Sequence, residues 1–426
     1  MSDYIDQAWA AALPTLMEYI AIPARSPMFD PDWQTTGHLA RAAELLREWA
    51  QAQPIAGMSV EVISPSGLSP VLLIEIASTR PELSDRTVLL YGHMDKQPEM
   101  EPWSAGLGPW LPVLRGDRLY GRGGADDGYS VFAALIAIAS IQATGGAHAR
   151  LVLLIEASEE SSSVHLSQHL EKLLPRIGAA DLVVTLDSFC ESYDRLWTST
   201  STRGVCGGVL EIEVCADDPH SGRASGVLPS SFRILRELLA RIEDVRTGEV
   251  LLASANVPIP GHRVQEAAVA AAAFPPLSSS FRPVPGVQPM APDALGELLN
   301  ETWRPALEVI GIDGIPHVAD AGNVFRSRLA VKLSIRLPPT ADTHAVGEEL
   351  KAVLEADPPF GASVRVVDGA RGPGWLDALS GARATAAPRA LLPLALLLLP
   401  ATVALIQASA LAAAGPEAVG TLWPLD

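Results

Sequence analysis

Between residues 86 and 190 the chain alternates two hydrophobic rhythms. The segments RTVLLYGH, ARLVLLIEA and DLVVTLDSF are apolar almost without a break, and VFAALIAIASIQATGG and HLSQHLEKLLPRIG between them repeat with helical periodicity. Continuous aliphatic strands joined through helices predict an α/β domain, a parallel or mixed sheet with helices on both faces. Ligands of such sheets gather beyond the carboxyl ends of the strands. Further on, RGVCGGVLEIEVCA reads as a strand and PSSFRILRELLARIED as a helix with Ser230 or Ser231 near its start. RLAVKLSIRLPP and THAVGEELKAVLEA add a second strand and helix, which predicts a small α+β domain. The proline-rich stretch 251–300 is expected to be irregular and to run over the surface. At the start, MSDYIDQAWAAALPTLMEYIAIP reads as an amphipathic helix, and Asp3 and Asp6 without a basic neighbour exclude a secretory signal.

Composition narrows the function classes. A length of 426 residues allows two or three domains. The formal charge of −18 leaves no basic stripe to displace counterions from phosphates, which excludes nucleic acid as a partner. Cys190, Cys206 and Cys215 are odd in number and irregularly spaced, so neither a disulfide framework nor a thiolate zinc site is expected, and a cytoplasmic location is. From Ala390 to Ala414 the chain runs about 25 residues without a charge, enough to span a bilayer. Pro393 and Pro400 interrupt that run, so a membrane association is not expected from it.

The chemistry lies at the strand ends. The first strand ends in His93 and Asp95; the loop LYGRGGADDGYS delivers Asp126 and Asp127 before a helix; the next strand runs into Glu159 and Glu160; the last into Asp187. Acids and one imidazole thus recur at one end of one sheet, roughly a strand–helix unit apart. So many carboxylates at one edge repel one another unless a cation joins them. Imidazole with carboxylates suits Zn²⁺, Mn²⁺ or Co²⁺. An extended 93–95 segment sends His93 and Asp95 to one face, so that Asp95 can orient the ring of His93. Glu159 and Glu160 can divide labour between holding a metal and acting as general base. Taken singly, HMD or EE is more often a solvated surface patch; the ordered set at strand ends favours a site.

The motifs YGHMDKQPE, Trp103, DRLYGRGGADD, EASEESSS and LDSF resemble those of the M20 metallopeptidases, and among them the carnosinase-like dipeptidases. TRGVCGGVLEIEVCADDPHSG and VKLSIRLPP carry the resemblance into the second domain, so that it spans roughly residues 5–372. It implies a zinc-peptidase-like catalytic domain (1–200), an inserted α+β lid domain that commonly forms a homodimer (201–368), and an atypical C-terminal segment (369–426). It implies hydrolysis of dipeptides or small N-acyl amino acids with two metal ions. Asp126 would bridge them, His93 and Asp187 complete the first, Glu160 serve the second, and Glu159 act as base. The Asp126–Asp127 peptide is expected to be cis. His220 matches a lid histidine that reaches a neighbouring subunit's site to stabilise the oxyanion, and Arg336 a lid arginine that holds the substrate's carboxylate.

Three departures from the family pattern qualify this. Gly128 stands where lysine is usual, and Ser162 where glycine is common. Nothing after GPGWLDAL resembles the family's last segment with its histidine for the second metal, and the last histidine here is His344. Residues from about 375 read as an altered C-terminus, such as an out-of-frame translation; a membrane anchor and an aliphatic core helix are the other readings. The alternative to a working hydrolase is a homologue that binds metal or amino acid without turnover.

Overall fold

Residues 88–90 can be apolar throughout because the strand they belong to has a neighbour on each side and helices above and below. The computed structural model describes residues 2–100, 102–188, 197, 199–281, 283–376 and 407–409. They divide into two units, one within residues 1–200 together with 407–409, the other within 201–376.

The first unit is a mixed α/β sandwich. Its elements are α1 (Ser2–Ala21), α2 (His38–Gln51), β1 (Met58–Ile63), β2 (Val71–Ile76), β3 (Thr87–His93), α3 (Ser130–Ala143), β4 (Arg150–Glu156), α4 (Leu166–Ile177) and β5 (Leu182–Thr185). The sheet runs β1-β2-β4-β3-β5, with residues 407–409 pairing antiparallel to the outer side of β5. β3 lies parallel between β4 and β5, while β1 and β2 are antiparallel additions. All three parallel strands therefore open at one edge. Alternation along β2 sorts the two faces: Leu72, Ile74 and Ile76 join α1, α2 and α3 in one core, whereas Glu75 points to the other face and meets Arg176 of α4. The α3 helix is buried on nearly every side, from Val131 to Ile141, which is why its sequence lacks a polar stripe.

The second unit is a four-stranded antiparallel sheet with helices. Its strands are β6 (Gly204–Glu213), β7 (Ala306–Asp313), β8 (Arg328–Leu337) and β9 (Ser363–Gly372), in the order β7-β8-β6-β9. α5 (Ser231–Leu239), capped by the Ser230 hydroxyl on the N–H of Arg233, and α8 (Thr343–Glu355), capped by Asp342, are its packing helices. Leu210, Ile212, Ile234, Leu238, Val331, Leu333, Ile335 and Leu350 form its core. The stretch 251–300 is less irregular than its prolines suggest: it contains α6 (Gly261–Ala271) and α7 (Ala294–Thr302), which pack on each other through Ala267, Leu299 and Trp303. Pro260 precedes the first helix and Asp293 caps the second, so the breakers bound helices instead of excluding them. The expected altered C-terminus, with its anchor and core-helix alternatives, falls on 377–406 and 410–426, outside the described residues.

Candidate metal centre

β3, β4 and β5 end side by side, and the side chains just past their ends converge. His93, the last residue of β3, is fixed from two directions. Its N–H donates to Asp127 Oδ2 at 3.1 Å, and its ring Nδ1 lies 3.1 Å from the Asp95 carbonyl and 3.6 Å from Asp95 Oδ1. That leaves Nε2 facing the acids: Asp126 Oδ1 at 3.2 Å, Asp187 Oδ2 at 3.8 Å and Glu159 Oε2 at 3.9 Å. Gly92 makes room for this, because a Cβ there would meet Ser130 Oγ at 2.7 Å and collide with Asp127.

The sequence reading gave Asp95 the single task of orienting His93. Its carboxylate does more: it accepts the N–H groups of Glu159 at 3.1 Å and Glu160 at 3.0 Å, tying the turn after β4 to the turn after β3. Asp95 is fully buried. Beneath the same turn lies Glu156, which receives the hydroxyls of Tyr91 at 2.6 Å, Ser158 at 2.8 Å and Ser163 at 2.8 Å. Burial pushes the Glu156 carboxyl above its usual range, and the nearby Asp95 adds to that. Asp126 and Asp127 are joined by a cis peptide, as the resemblance implied.

Two triples of ligand atoms result, each within 4.8 Å: His93 with Glu159 and Asp187, and His93 with Asp126 and Glu160. The structure thus brings together His93, Asp95, Asp126, Glu159, Glu160 and Asp187. His220 and Arg336 belong to the second unit. His220 is exposed and caps the short helix Ser221–Ala224 through Nδ1. Arg336 lies on β8 opposite Val205, on the face that alternates with the core positions Ile335 and Leu337.

The electrostatics describe a site short of cations. Burial alone would lower the His93 imidazole, but its bonds to Asp126 and Asp95, with Asp187 nearby, raise it well above the usual value. Burial, reinforced by the Asp126 charge, pushes Glu160 up to about 7. Asp127, fully buried, is raised well above the ordinary carboxylate range by desolvation. Glu160 Oε1 is buried without a hydrogen-bond partner. Crowded carboxylates, one imidazole and an orphaned buried oxygen make a donor set that fits a hard or borderline divalent cation. Gln97, which donates to Glu160, and Glu156 were not singled out from the sequence; Glu156 could have been found, since it ends an apolar strand where a buried carboxylate needs partners.

Comparison with known proteins agrees with this geometry. The family described as Peptidase family M20/M25/M40 matches residues 89–366. The chain is 28% identical to the Beta-Ala-His dipeptidase of Mus musculus over 378 residues, covering 83% of this chain and 72% of the relative. It is 26% identical to the cysteinylglycine-S-conjugate dipeptidase of Corynebacterium striatum over 290 residues, 66% of this chain and 60% of that one. Its fold matches human carnosine dipeptidase 1 with a TM-score of 0.73 at 24% identity, over 98% of this chain and 88% of the other. Because the matched region runs from the strand bearing His93 to the last strand of the second unit, the chain belongs to peptidase family M20/M25/M40.

Proposed function

We propose that the protein is a metal-dependent hydrolase of dipeptides or small N-acyl amino acids, with Zn²⁺, or alternatively Mn²⁺ or Co²⁺, at the edge of the first sheet. The observation that carries this reading is the convergence of Asp126, Glu159 and Asp187 on Nε2 of His93. His93, Asp126, Glu160 and Asp187 would hold the metal. A divalent ion there supplies Lewis acidity, which makes water a nucleophile near neutral pH. Glu159, 8% exposed and anchored through its N–H to Asp95, takes the proton of the attacking water on its carboxylate and returns it to the leaving amine. His220, contributed by the second unit of a partner chain in a homodimer, donates to the developing oxyanion, and Arg336 receives the substrate's carboxylate through its planar fork. The named activities of the curated relatives support dipeptides as the substrate class. The thiol of Cys215, outside any disulfide, supports a cytoplasmic setting.

The test is cleavage of a dipeptide panel with added Zn²⁺ or Mn²⁺, wild type beside Glu159→Ala. A loss of at least a hundredfold in kcat is expected, and equal rates for both proteins reject the mechanism. A second reading, metal binding without turnover, is favoured by one feature: both ligand triples draw on the same imidazole. Metal analysis of the purified chain separates the two, since two ions per chain support the hydrolase and one supports the impaired homologue.

A further inference from the structure

The strand end that presents His93 continues through Asp95 into Lys96, a lysine with no exposed surface. Lysines are almost never fully buried unless their ammonium is satisfied. This one donates to the carbonyls of Tyr19 at 2.7 Å, Ile22 at 2.8 Å and Ile20 at 3.3 Å, and its Nζ sits 4.0 Å from the centre of the Tyr19 ring. Those carbonyls lie at the C-terminal end of α1, which has no basic residue in its own last turn. Lys96 therefore serves as that helix's cap from another part of the chain, where the last carbonyls and the helix dipole both favour a cation.

The corner is braced again on each side. The Tyr19 hydroxyl donates to the Met94 carbonyl at 2.8 Å, and the N–H of Ser26 to the carbonyl of Lys96 at 3.0 Å. The opposite wall is the turn that delivers Asp126. A Cβ on Gly123, at φ +78°, would meet the Lys96 carbons Cε, Cγ and Cδ at 2.6 to 2.8 Å. A Cβ on Gly128 would run into the Tyr19 ring. The two glycines that bracket Asp126 and Asp127 thus yield their space to the lysine–tyrosine pair. Through Lys96, the end of α1, the strand end bearing His93 and the turn bearing Asp126 share one packed corner.

We infer that Lys96 is a positioning residue for the metal centre: tied to the end of α1 and packed against Gly123, it sets the separation of His93 from Asp126. This rests on the metal-centre reading given under the proposed function. The experiment measures Zn²⁺ affinity of the full chain by competition with a chromophoric chelator, for wild type, Lys96→Met and Leu173→Ala. Leu173 is buried on α4, away from the α1 corner, so its truncation costs stability without touching the corner. Thermal melting in chelator reports stability alone. Lys96→Met should bind Zn²⁺ about 10- to 100-fold more weakly, the range typical of losing a residue that orients ligands, while Leu173→Ala melts earlier and keeps wild-type affinity. Affinity of Lys96→Met within twofold of wild type overturns the inference, as does an equal loss in Leu173→Ala at a matched drop in melting temperature. Should Lys96→Met not fold, Tyr19→Phe and Gly123→Ala press on the same corner from either side. Weaker Zn²⁺ binding in both supports the inference, and unchanged binding in either folded variant overturns it. A wild-type chain that takes up no Zn²⁺ sinks the metal-centre reading itself, an outcome distinct from wild-type binding that Lys96→Met leaves intact.

Discussion

At the scale of single residues, the site depends on side chains that do two jobs. Asp95 receives two backbone N–H groups from the Glu159–Glu160 turn while its main-chain carbonyl meets His93 Nδ1, so one buried residue fixes both the imidazole and the proposed base. Asp95→Asn keeps the size but turns half of the acceptor into a donor, which cannot receive both N–H groups. It should leave one buried donor unpaired, cost about 1–3 kcal/mol in urea unfolding, and weaken Zn²⁺ binding by roughly 10- to 100-fold. Unchanged affinity in the folded variant would show that the turn is held by other means. The strand-end acids were legible because each ends a run whose apolar residues are self-explanatory, leaving the polar ones to be explained. Lys96 was not legible in that way. One position from Asp95 in an exposed-looking loop sequence, it gives no sign of burial until α1 is seen to end beside it. Nor could spacing reveal that the carboxylate of Asp95 is spent on backbone, since partners 64 and 65 residues away leave no local pattern.

Among the elements, those with one dominant period were readable and those defined by their partners were not. β3, β4 and β5 announce themselves as continuous aliphatic runs because both faces of a central parallel strand are dry. α6 and α7 hide among prolines that lie at their borders. α4 shows how a solvent-facing element is fastened. Arg176 reaches Glu75 on β2 at 2.6 Å and Glu61 on β1 at 2.6 Å, and Arg150 meets Glu75 at 2.9 Å. Burial would raise the Glu75 carboxyl, but the hydrogen bonds and charges of Arg176 and Arg150 outweigh it and hold the group below the ordinary range. A carboxyl whose folded value is depressed contributes stability above its unfolded value and loses it as pH falls through the folded one. Glu75→Gln should therefore cost about 1 kcal/mol or less at pH 7, a partly exposed ion pair being worth no more. The difference from wild type should shrink as pH falls through and below the usual carboxylate range. Urea titrations at pH 7 and pH 3 check this, and a gap that persists in acid would assign the effect to packing.

On the scale of the whole molecule, the convergent ligand atoms among the described residues come from residues 93–187, so a metal there would be held by a different part of the chain from the second sheet. Each unit has its own core, one around Leu72, Phe132 and Leu153, the other around Leu210, Ile234 and Leu333. A ligand that binds only the folded form stabilises by RT ln(1 + [L]/Kd), about 4 kcal/mol when free metal is a thousandfold above Kd. That term belongs to the unit that owns the ligands. Independent cores also permit two calorimetric transitions in place of one. Removing metal with a chelator should then lower the transition of the first unit by several degrees. The transition of the second should stay where it was. Near-UV circular dichroism follows both units, through Trp33, Trp49 and Trp110 in the first and Trp303 and Trp375 in the second, and the Asp126→Asn variant, which should melt alike with and without chelator, assigns the chelator-sensitive transition to the first. A single transition that moves as one body on chelation would mean that the metal stabilises both sheets together.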